Sequence, residues 1–256
     1  MKIHFYKYQG AGNDFIIIDE MKSAFKLNHT SIKKMCDRHF GIGADGLMKV
    51  RPSDDYDFRM IYYNADGYEG SMCGNGGRCV HLFAHHRGLA GVESRFEAAG
   101  NVYKGWIEED GQYLDMHDVQ IPSLTGDPVI DTGSPHVVVP VEYLENYDVL
   151  REGKRIREDE MYKPDGVNVN FISELSATEI SQRTYERGVE NETMACGTGA
   201  VAGAVYQATR HDLPDTVITV HMRGGDLNVH LIRSGDFFNV WLEGPAAFVF
   251  EGDVVV

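Results

Sequence analysis

Ser71-Met72-Cys73-Gly74-Asn75-Gly76-Gly77-Arg78-Cys79 has a partial copy in the second half of the chain, Met194-Ala195-Cys196-Gly197-Thr198-Gly199-Ala200. Each copy reads Cys-Gly-x-Gly and runs into an apolar segment with helical spacing. In the first this segment is Val80, Leu82, Phe83 and Ala84, and in the second Val201, Ala204, Val205 and Ala208. The two cysteines stand almost half of the 256-residue chain apart. Self-similarity at that distance predicts two related halves. Glycines let the backbone turn sharply, and the helix that follows points its free N–H groups back at the cysteine. A thiol placed there ionises more readily than free cysteine, and the same amides can receive a carboxylate. Two such helix starts facing each other would form a pocket with a thiol on each side.

The composition narrows the ligand. With 24 basic and 39 acidic side chains the net charge is −15, which argues against nucleic acid or an anionic membrane as the main partner. A small molecule held by backbone amides and a few cations fits better. Apolar residues make up 43% of the chain, as in a globular protein. The start, Met1-Lys2-Ile3-His4-Phe5-Tyr6-Lys7, has no apolar stretch suited to a secretory signal, and no later run reaches transmembrane length, so the expected location is cytoplasmic. Four cysteines, Cys36, Cys73, Cys79 and Cys196, are too few for a disulfide scaffold and are read as thiols.

Outward from the two cysteines, similar elements recur. Residues Ile3 to Asp19 read as two strands around Gln9-Gly10-Ala11-Gly12-Asn13-Asp14, the second continuously apolar at Phe15-Ile16-Ile17-Ile18. Asn13 and Asp14 suit either turn capping or a ligand contact. Ser31 to His39 reads as a short helix. Gly41-Ile42-Gly43-Ala44-Asp45-Gly46 is a tight connection without the Gly-Lys-Ser/Thr ending of a phosphate loop, so nucleotide binding is not expected. A strand over Asp57 to Tyr63 precedes the first thiol turn, and strands at Arg95 to Ala98, Val102 to Ile107 and Gln112 to Met116 follow its helix. After the second thiol helix come strands at Thr216 to Met222, Leu227 to Ile232 and Phe237 to Leu242. The charged run from Leu150 to Glu160 reads as a solvated helix and loop.

The expected fold class is α+β, with two pseudo-symmetric domains, each a mostly antiparallel sheet wrapped around a central helix. The Pro-containing segment from Ile121 to Pro128 sets the boundary, giving halves at 1–121 and 122–245. A tail at about 246–256 is expected on the first half, and the active site in the cleft between the halves.

Two thiols at matched positions suit a reaction needing a proton acceptor and a proton donor on opposite faces of one carbon. Inversion of an α-carbon is such a reaction. Without a pyridoxal cofactor, helix N-termini must stabilise the carboxylate as charge develops. Cys36 and Cys79 lack the repeated context and are read as inert. A zinc site drawn from Cys73, Cys79, Cys196 and His81 or His85 has poor ligand spacing, and a Cys73–Cys79 redox pair lacks the two-residue gap of redox motifs. Neither a metal nor a cofactor is expected.

Gly12-Asn13-Asp14-Phe15, Asn64-Ala65-Asp66-Gly67, the first thiol stretch, Gly133-Ser134-Pro135-His136, Val167-Asn168-Val169-Asn170-Phe171, Tyr185-Glu186-Arg187-Gly188, Ala195-Cys196-Gly197-Thr198-Gly199 and Gly244-Pro245-Ala246 occur in an order that resembles the diaminopimelate epimerase family over nearly the whole chain. The resemblance implies a cofactor-independent two-base epimerase converting LL- to meso-2,6-diaminopimelate in lysine and peptidoglycan precursor synthesis. It implies Cys73 and Cys196 as the acid/base pair, with Gly74, Asn75, Gly197 and Thr198 presenting amides to the carboxylate at the reacting centre. Asn13 is implied near that centre, and Asn64, Asn168, Glu186 and Arg187 at the distal amino-acid end. His136 is implied as an auxiliary that orients or deprotonates one thiol. A homodimer is compatible with the resemblance. The chain departs from the family pattern at Gly46, where a glutamine is frequent, at Ser134, where an asparagine is frequent, and in the longer approach Gly188 to Thr193. A racemase of another amino acid on the same fold is therefore the alternative, with a non-catalytic amino-acid binder behind it.

Overall fold

The computed structural model describes every residue except Ser71, Asp110 and Asp127; Ser71, the first residue of the quoted stretch, thus lies outside the described residues. The chain divides into two compact units, Met1–Leu114 with Pro245–Val256, and Asp115–Gly244. Among the described residues no helix is long and apolar enough to cross a membrane.

The first unit contains β1 (Lys2–Gly10), β2 (Asn13–Asp19), α1 (His29–Cys36), β3 (Gly46–Arg51), β4 (Phe58–Asn64), α2 (Gly74–His86), β5 (Glu93–Ala98), β6 (Asn101–Ile107) and β7 (Gln112–Asp115), closed by the C-terminal β17 (Ala247–Val255). α2 is buried without interruption from Gly74 to Ala84. A helix buried all round must be covered on every side, and here the sheet does it. Tyr6 and Tyr8 of β1 set their rings 5.0 and 5.9 Å from Phe83 of α2. On the other side Ile16 and Ile18 of β2 join Ile3, Phe5 and Leu47 in a cluster with Ile32 and Met35 of α1. β2 thus has both faces buried, which explains its continuous apolar run.

The second unit contains β8 (Val119–Gln120), β9 (Val129–Asp131), β10 (Pro135–Pro140), α3 (Val149–Arg157), β11 (Asn168–Ser176), β12 (Glu179–Glu186), β13 (Asn191–Thr193), α4 (Gly197–Arg210), β14 (Asp215–Met222), β15 (Gly225–Ser234) and β16 (Phe237–Gly244). Its central helix α4 is as deeply buried as α2: Ala200, Val201, Ala204, Val205 and Ala208 have no exposed surface.

The two units repeat one order of strand pairing. In the first, β1–β2 is antiparallel, β2–β3 parallel, β3–β4 antiparallel, β4–β5 parallel, and β5–β6–β7 antiparallel. In the second, β9–β10 is antiparallel, β10–β11 parallel, β11–β12 antiparallel, β12–β14 parallel, and β14–β15–β16 antiparallel. Parallel neighbours need a crossover, and each unit uses its two helices there. α1 and α3 occupy one kind of crossover, α2 and α4 the other.

Several boundaries differ from those read in the sequence. The second unit begins at Asp115 rather than at residue 122, because Val119 and Gln120 pair with Phe238 and Phe237 before the proline segment is reached. The first helix spans His29–Cys36 instead of Ser31 to His39. Asn28 caps it by accepting from the Ser31 N–H at 2.8 Å, and Asp37 is already extended. β17 pairs with β1 from Lys2↔Val255 to Gln9↔Ala247, so the C-terminal segment is an integral strand of the first unit.

Candidate active site

Cys73 and Cys196 are the N-caps of the two central helices, with nearly the same backbone: φ −112°, ψ 117° at Cys73 and φ −122°, ψ 109° at Cys196. Each Sγ accepts from the backbone N–H three residues on, Gly76 and Gly199, both at 3.4 Å. Each cysteine carbonyl accepts the first helical bond, from Gly77 and Ala200, both at 2.8 Å. The conformation is extended and the cap sulfur lies over the open amides, the electropositive end of the helix. At Gly199 a side chain does not fit: a Cβ there would lie 2.5 Å from the Asn170 Oδ1 and 3.2 Å from Cys196 Sγ.

In the first unit, one edge of the sheet gathers the residues named from sequence. Ala11 and Gly12, with φ of 50° and 78°, make a tight turn that places Asn13 at the first position of β2. Gly46 opens β3 opposite both Phe15 and Asn64, so Asn13, Gly46 and Asn64 share that edge. The Asn13 Oδ1 accepts from Cys73 Sγ at 3.6 Å and from the Asn75 Nδ2 at 3.4 Å. Asn64, Gly74 and Asn75 lie at the ends of β4 and the start of α2. The bare α-carbon of Gly46 has a physical reason: a Cβ there would stand 2.5 Å from Tyr62 Cε2 and 2.8 Å from its hydroxyl, so the Tyr62 ring fills the space of a side chain.

The second unit repeats this placement. Pro135 and His136 open β10, Asn168 opens β11 opposite His136, and Glu186 ends β12. Thr198 sets its hydroxyl 3.5 Å from Cys196 Sγ, while its carbonyl accepts from Thr132 Oγ1 at 3.0 Å. The buried Asn168 amide donates to the Pro135 carbonyl at 3.1 Å and accepts from the Arg187 N–H at 2.9 Å. It therefore holds the backbone at Arg187 in place. The Arg187 guanidinium makes one long contact, 3.4 Å to the Asp165 carbonyl, and among the described residues no carboxylate forms an ion pair with it.

His136 is fully buried, and its ring is committed to this scaffold. Its Nδ1 lies 3.0 Å from Asn170 Nδ2 and its Nε2 lies 3.0 Å from Ser134 Oγ. The Asn170 oxygen is already used by Gln182 and Thr184, so its nitrogen faces the ring and can only donate. Nδ1 is therefore unprotonated, and Nε2 carries the proton toward Ser134. Burial, with the Arg187 charge adding to it, lowers the His136 pKa to about 3. Since the unfolded ring titrates near 6.5, the unfolded state binds the extra proton as pH falls below that value. Stability contributed by the neutral ring is then complete above pH 6.5 and declines toward pH 3. The slope is about 1.4 kcal/mol per pH unit inside that window. Urea unfolding at pH 7 and pH 5 should show this loss, and His136→Gln should make the dependence shallower. An unchanged dependence would remove His136 as its source.

Near Cys73 the charges are dense. Asp14 accepts from both Arg38 nitrogens, at 3.0 and 2.7 Å, and pairs with Lys7 at 2.7 Å. Burial pushes its carboxyl up, but the bonds from Arg38 and Lys7 prevail and hold it at about 2. Cys36 feels the same charges, Lys7, Asp14, Asp45 and Arg38, but burial dominates and pushes it up to about 12, and burial pushes Cys79 higher still.

Sequence reasoning missed Asp45, which accepts from Asn13 Nδ2 at 2.7 Å, the fully buried Arg78, which donates to Asn75 at 2.8 Å, and the Asn170 cluster. Arg78 and Asn75 stand three apart on one helix face, a spacing visible in the sequence. The pairing of Asn13 with Asp45 is not.

A family model described as diaminopimelate epimerase matches residues 5–121 and 128–249. The diaminopimelate epimerase of Flavobacterium psychrophilum is 44% identical over 250 residues, covering 96% of this chain and 98% of that protein. Among solved structures, a Bacillus anthracis phenazine biosynthesis protein of the PhzF family superposes with a TM-score of 0.76 at 17% identity, over 100% of both chains. A hydroxyproline epimerase from Agrobacterium vitis with bound trans-4-OH-L-proline gives 0.73 at 15% identity, over 99% of this chain and 92% of that one. These two likenesses establish the fold.

Proposed function

The chain belongs to the diaminopimelate epimerase family, and from that premise we propose that Cys73 and Cys196 are the two bases of a cofactor-independent inversion of LL- to meso-2,6-diaminopimelate. The activity is that of an isomerase in lysine biosynthesis. The observation that carries the assignment of the bases is their equivalence: two thiols cap the central helices of two units with the same strand pairing. One thiolate takes the α-proton, its C–H electron pair remains on carbon, and the other thiol delivers its proton to the opposite face. Each turnover leaves the two sulfurs with exchanged protonation, and solvent exchange resets them.

The α-proton is weakly acidic, so charge building on the carboxylate needs donors already in place. The N–H groups of Gly74 and Asn75, and of Gly197 and Thr198, open their helices and are suited to this. Asn64, Glu186 and Arg187 read the distal amino-acid end, with Arg187 taking the carboxylate and Glu186 the ammonium. Asn168 acts by fixing the backbone of Arg187, and His136 by bracing the Asn168–Asn170 edge, instead of moving a proton. The substrate is a small amino acid and the setting cytoplasmic; a homodimer is compatible with this reading.

Incubation of the reduced enzyme with LL-diaminopimelate in D2O tests it. Deuterium should enter the α-carbon as meso product forms. A pure binder would leave the α-carbon unlabelled, and faster labelling of another amino acid would favour the racemase reading.

A further inference from the structure

The Asn13 amide sits in a chain of hydrogen bonds whose direction is fixed at both ends. At one end the Arg78 Nη2 donates to Asn75 Oδ1 at 2.8 Å, and a guanidinium has no acceptor. The Asn75 oxygen must face it, which turns the Asn75 Nδ2 toward Asn13 Oδ1, 3.4 Å away. At the other end the Asn13 Nδ2 donates to Asp45 Oδ2 at 2.7 Å, and an ionised carboxylate only accepts. The second oxygen of Asp45 is held by Arg38 at 2.7 Å, and its Oδ2 also receives the Asp14 N–H at 3.2 Å. Both ends therefore demand the same orientation of Asn13, with Oδ1 turned to Cys73 Sγ at 3.6 Å.

We propose that Asp45 is a positioning residue that locks the Asn13 amide so that its oxygen accepts the Cys73 S–H. Asp45 touches neither the thiol nor the reacting carbon. A locked acceptor favours the protonated sulfur, whereas a flipped amide would offer an N–H and favour the thiolate. In the free protein the lock holds Cys73 as a donor to Asn13. The inference rests on the reading of Cys73 as a base, but its claim about the amide can be tested without turnover.

Asp45→Asn keeps the side-chain volume and can donate as well as accept, so it releases the lock. Alkylation of the native protein by iodoacetamide, followed thiol by thiol by mass spectrometry, reads the result. Cys73 should react about threefold faster or more while Cys196 keeps its own rate, because only the thiolate is the nucleophile. The buried Cys36 and Cys79 should stay unreacted. In an Asn13→Ala background Asp45→Asn should leave the Cys73 rate unchanged, since the amide it acts through is gone. Turnover on diaminopimelate should fall by about tenfold in kcat with KM within about twofold, the pattern of a misplaced acid/base group. Arg38→Gln, on the exposed end of the chain, should shift Cys73 in the same direction and serves if Asp45→Asn does not fold. The proposal is overturned if neither variant alters the Cys73 rate, if the effect of Asp45→Asn persists without the Asn13 amide, or if Cys36 and Cys79 become reactive together with Cys73. Slower alkylation with unchanged D2O labelling would likewise overturn it while leaving the epimerase reading intact.

Discussion

Cys73→Ser and Cys196→Ser should each lose overall epimerisation by ~10²–10⁴-fold in both directions, yet keep one-sided chemistry on opposite stereoisomers. The structure makes serine the informative replacement. Both cysteines are N-caps that accept from the amide three residues on, and serine is among the preferred capping residues. The hydroxyl should therefore keep α2 and α4 started correctly, so that lost turnover is not lost fold. It can still donate a proton, but it ionises far too rarely to act as the base. Each variant should then retain elimination from a β-halo analogue, or α-proton exchange, only for the isomer that faces the surviving thiol. Alanine would remove base, acid and cap together and would confuse chemistry with helix stability. Circular dichroism and urea midpoints close to wild type establish the control. Equal residual activity on both isomers in either variant would indicate one mobile base, and near-normal epimerisation without Cys196 would remove that thiol from the reaction.

The placement of both thiols at helix N-termini was legible because Cys-Gly-x-Gly precedes an apolar run of helical spacing in each half. β2 was legible for a related reason, since Phe15 to Ile18 must be apolar when both faces are covered. Short strands were not: β8, β9 and β13 have two or three residues, too few for any period to show. The parallel steps were hidden as well, because β2 meets β3 and β10 meets β11 only after a helical crossover. That is why Asp45 read as part of a glycine-rich connection. Its bond to Asn13 spans 32 residues and depends on the parallel register that sets Gly46 against Phe15. The asparagines of β11 show the opposite case. Asn168 and Asn170 alternate onto one face, as a strand dictates. Only the fold shows that this face is buried against His136, so that Asn168 supports Arg187 from behind.

Arg187→Ala should cost about 2–4 kcal/mol in kcat/KM on diaminopimelate, the range for losing one partner of a desolvated charge pair. That corresponds to roughly 30- to 900-fold. The expectation rests on the state of the guanidinium. The other half-buried arginines of the second unit are committed, Arg183 to Glu192 at 2.7 Å, Arg157 to Glu190 at 3.1 Å and Arg233 to Asp212 at 2.7 Å, whereas among the described residues Arg187 has one long contact to a carbonyl. Its backbone, by contrast, is fixed through Asn168, and Gly188 turns immediately after it with φ of 89°. A fixed stem bearing an uncommitted fork is suited to a carboxylate brought by the substrate, which it can hold with two parallel bonds. Arg187→Lys should recover only part of the loss, because an ammonium lacks the planar fork. The loss should appear mainly in KM, with kcat much less changed, because a contact to the distal end is made equally before and during proton transfer. An amino acid with a single carboxylate should be indifferent to the change. If Arg187→Ala kept wild-type kinetics on diaminopimelate, the distal carboxylate would have to be held elsewhere. If it improved turnover of a monocarboxylic amino acid instead, position 187 would be a determinant that excludes such substrates.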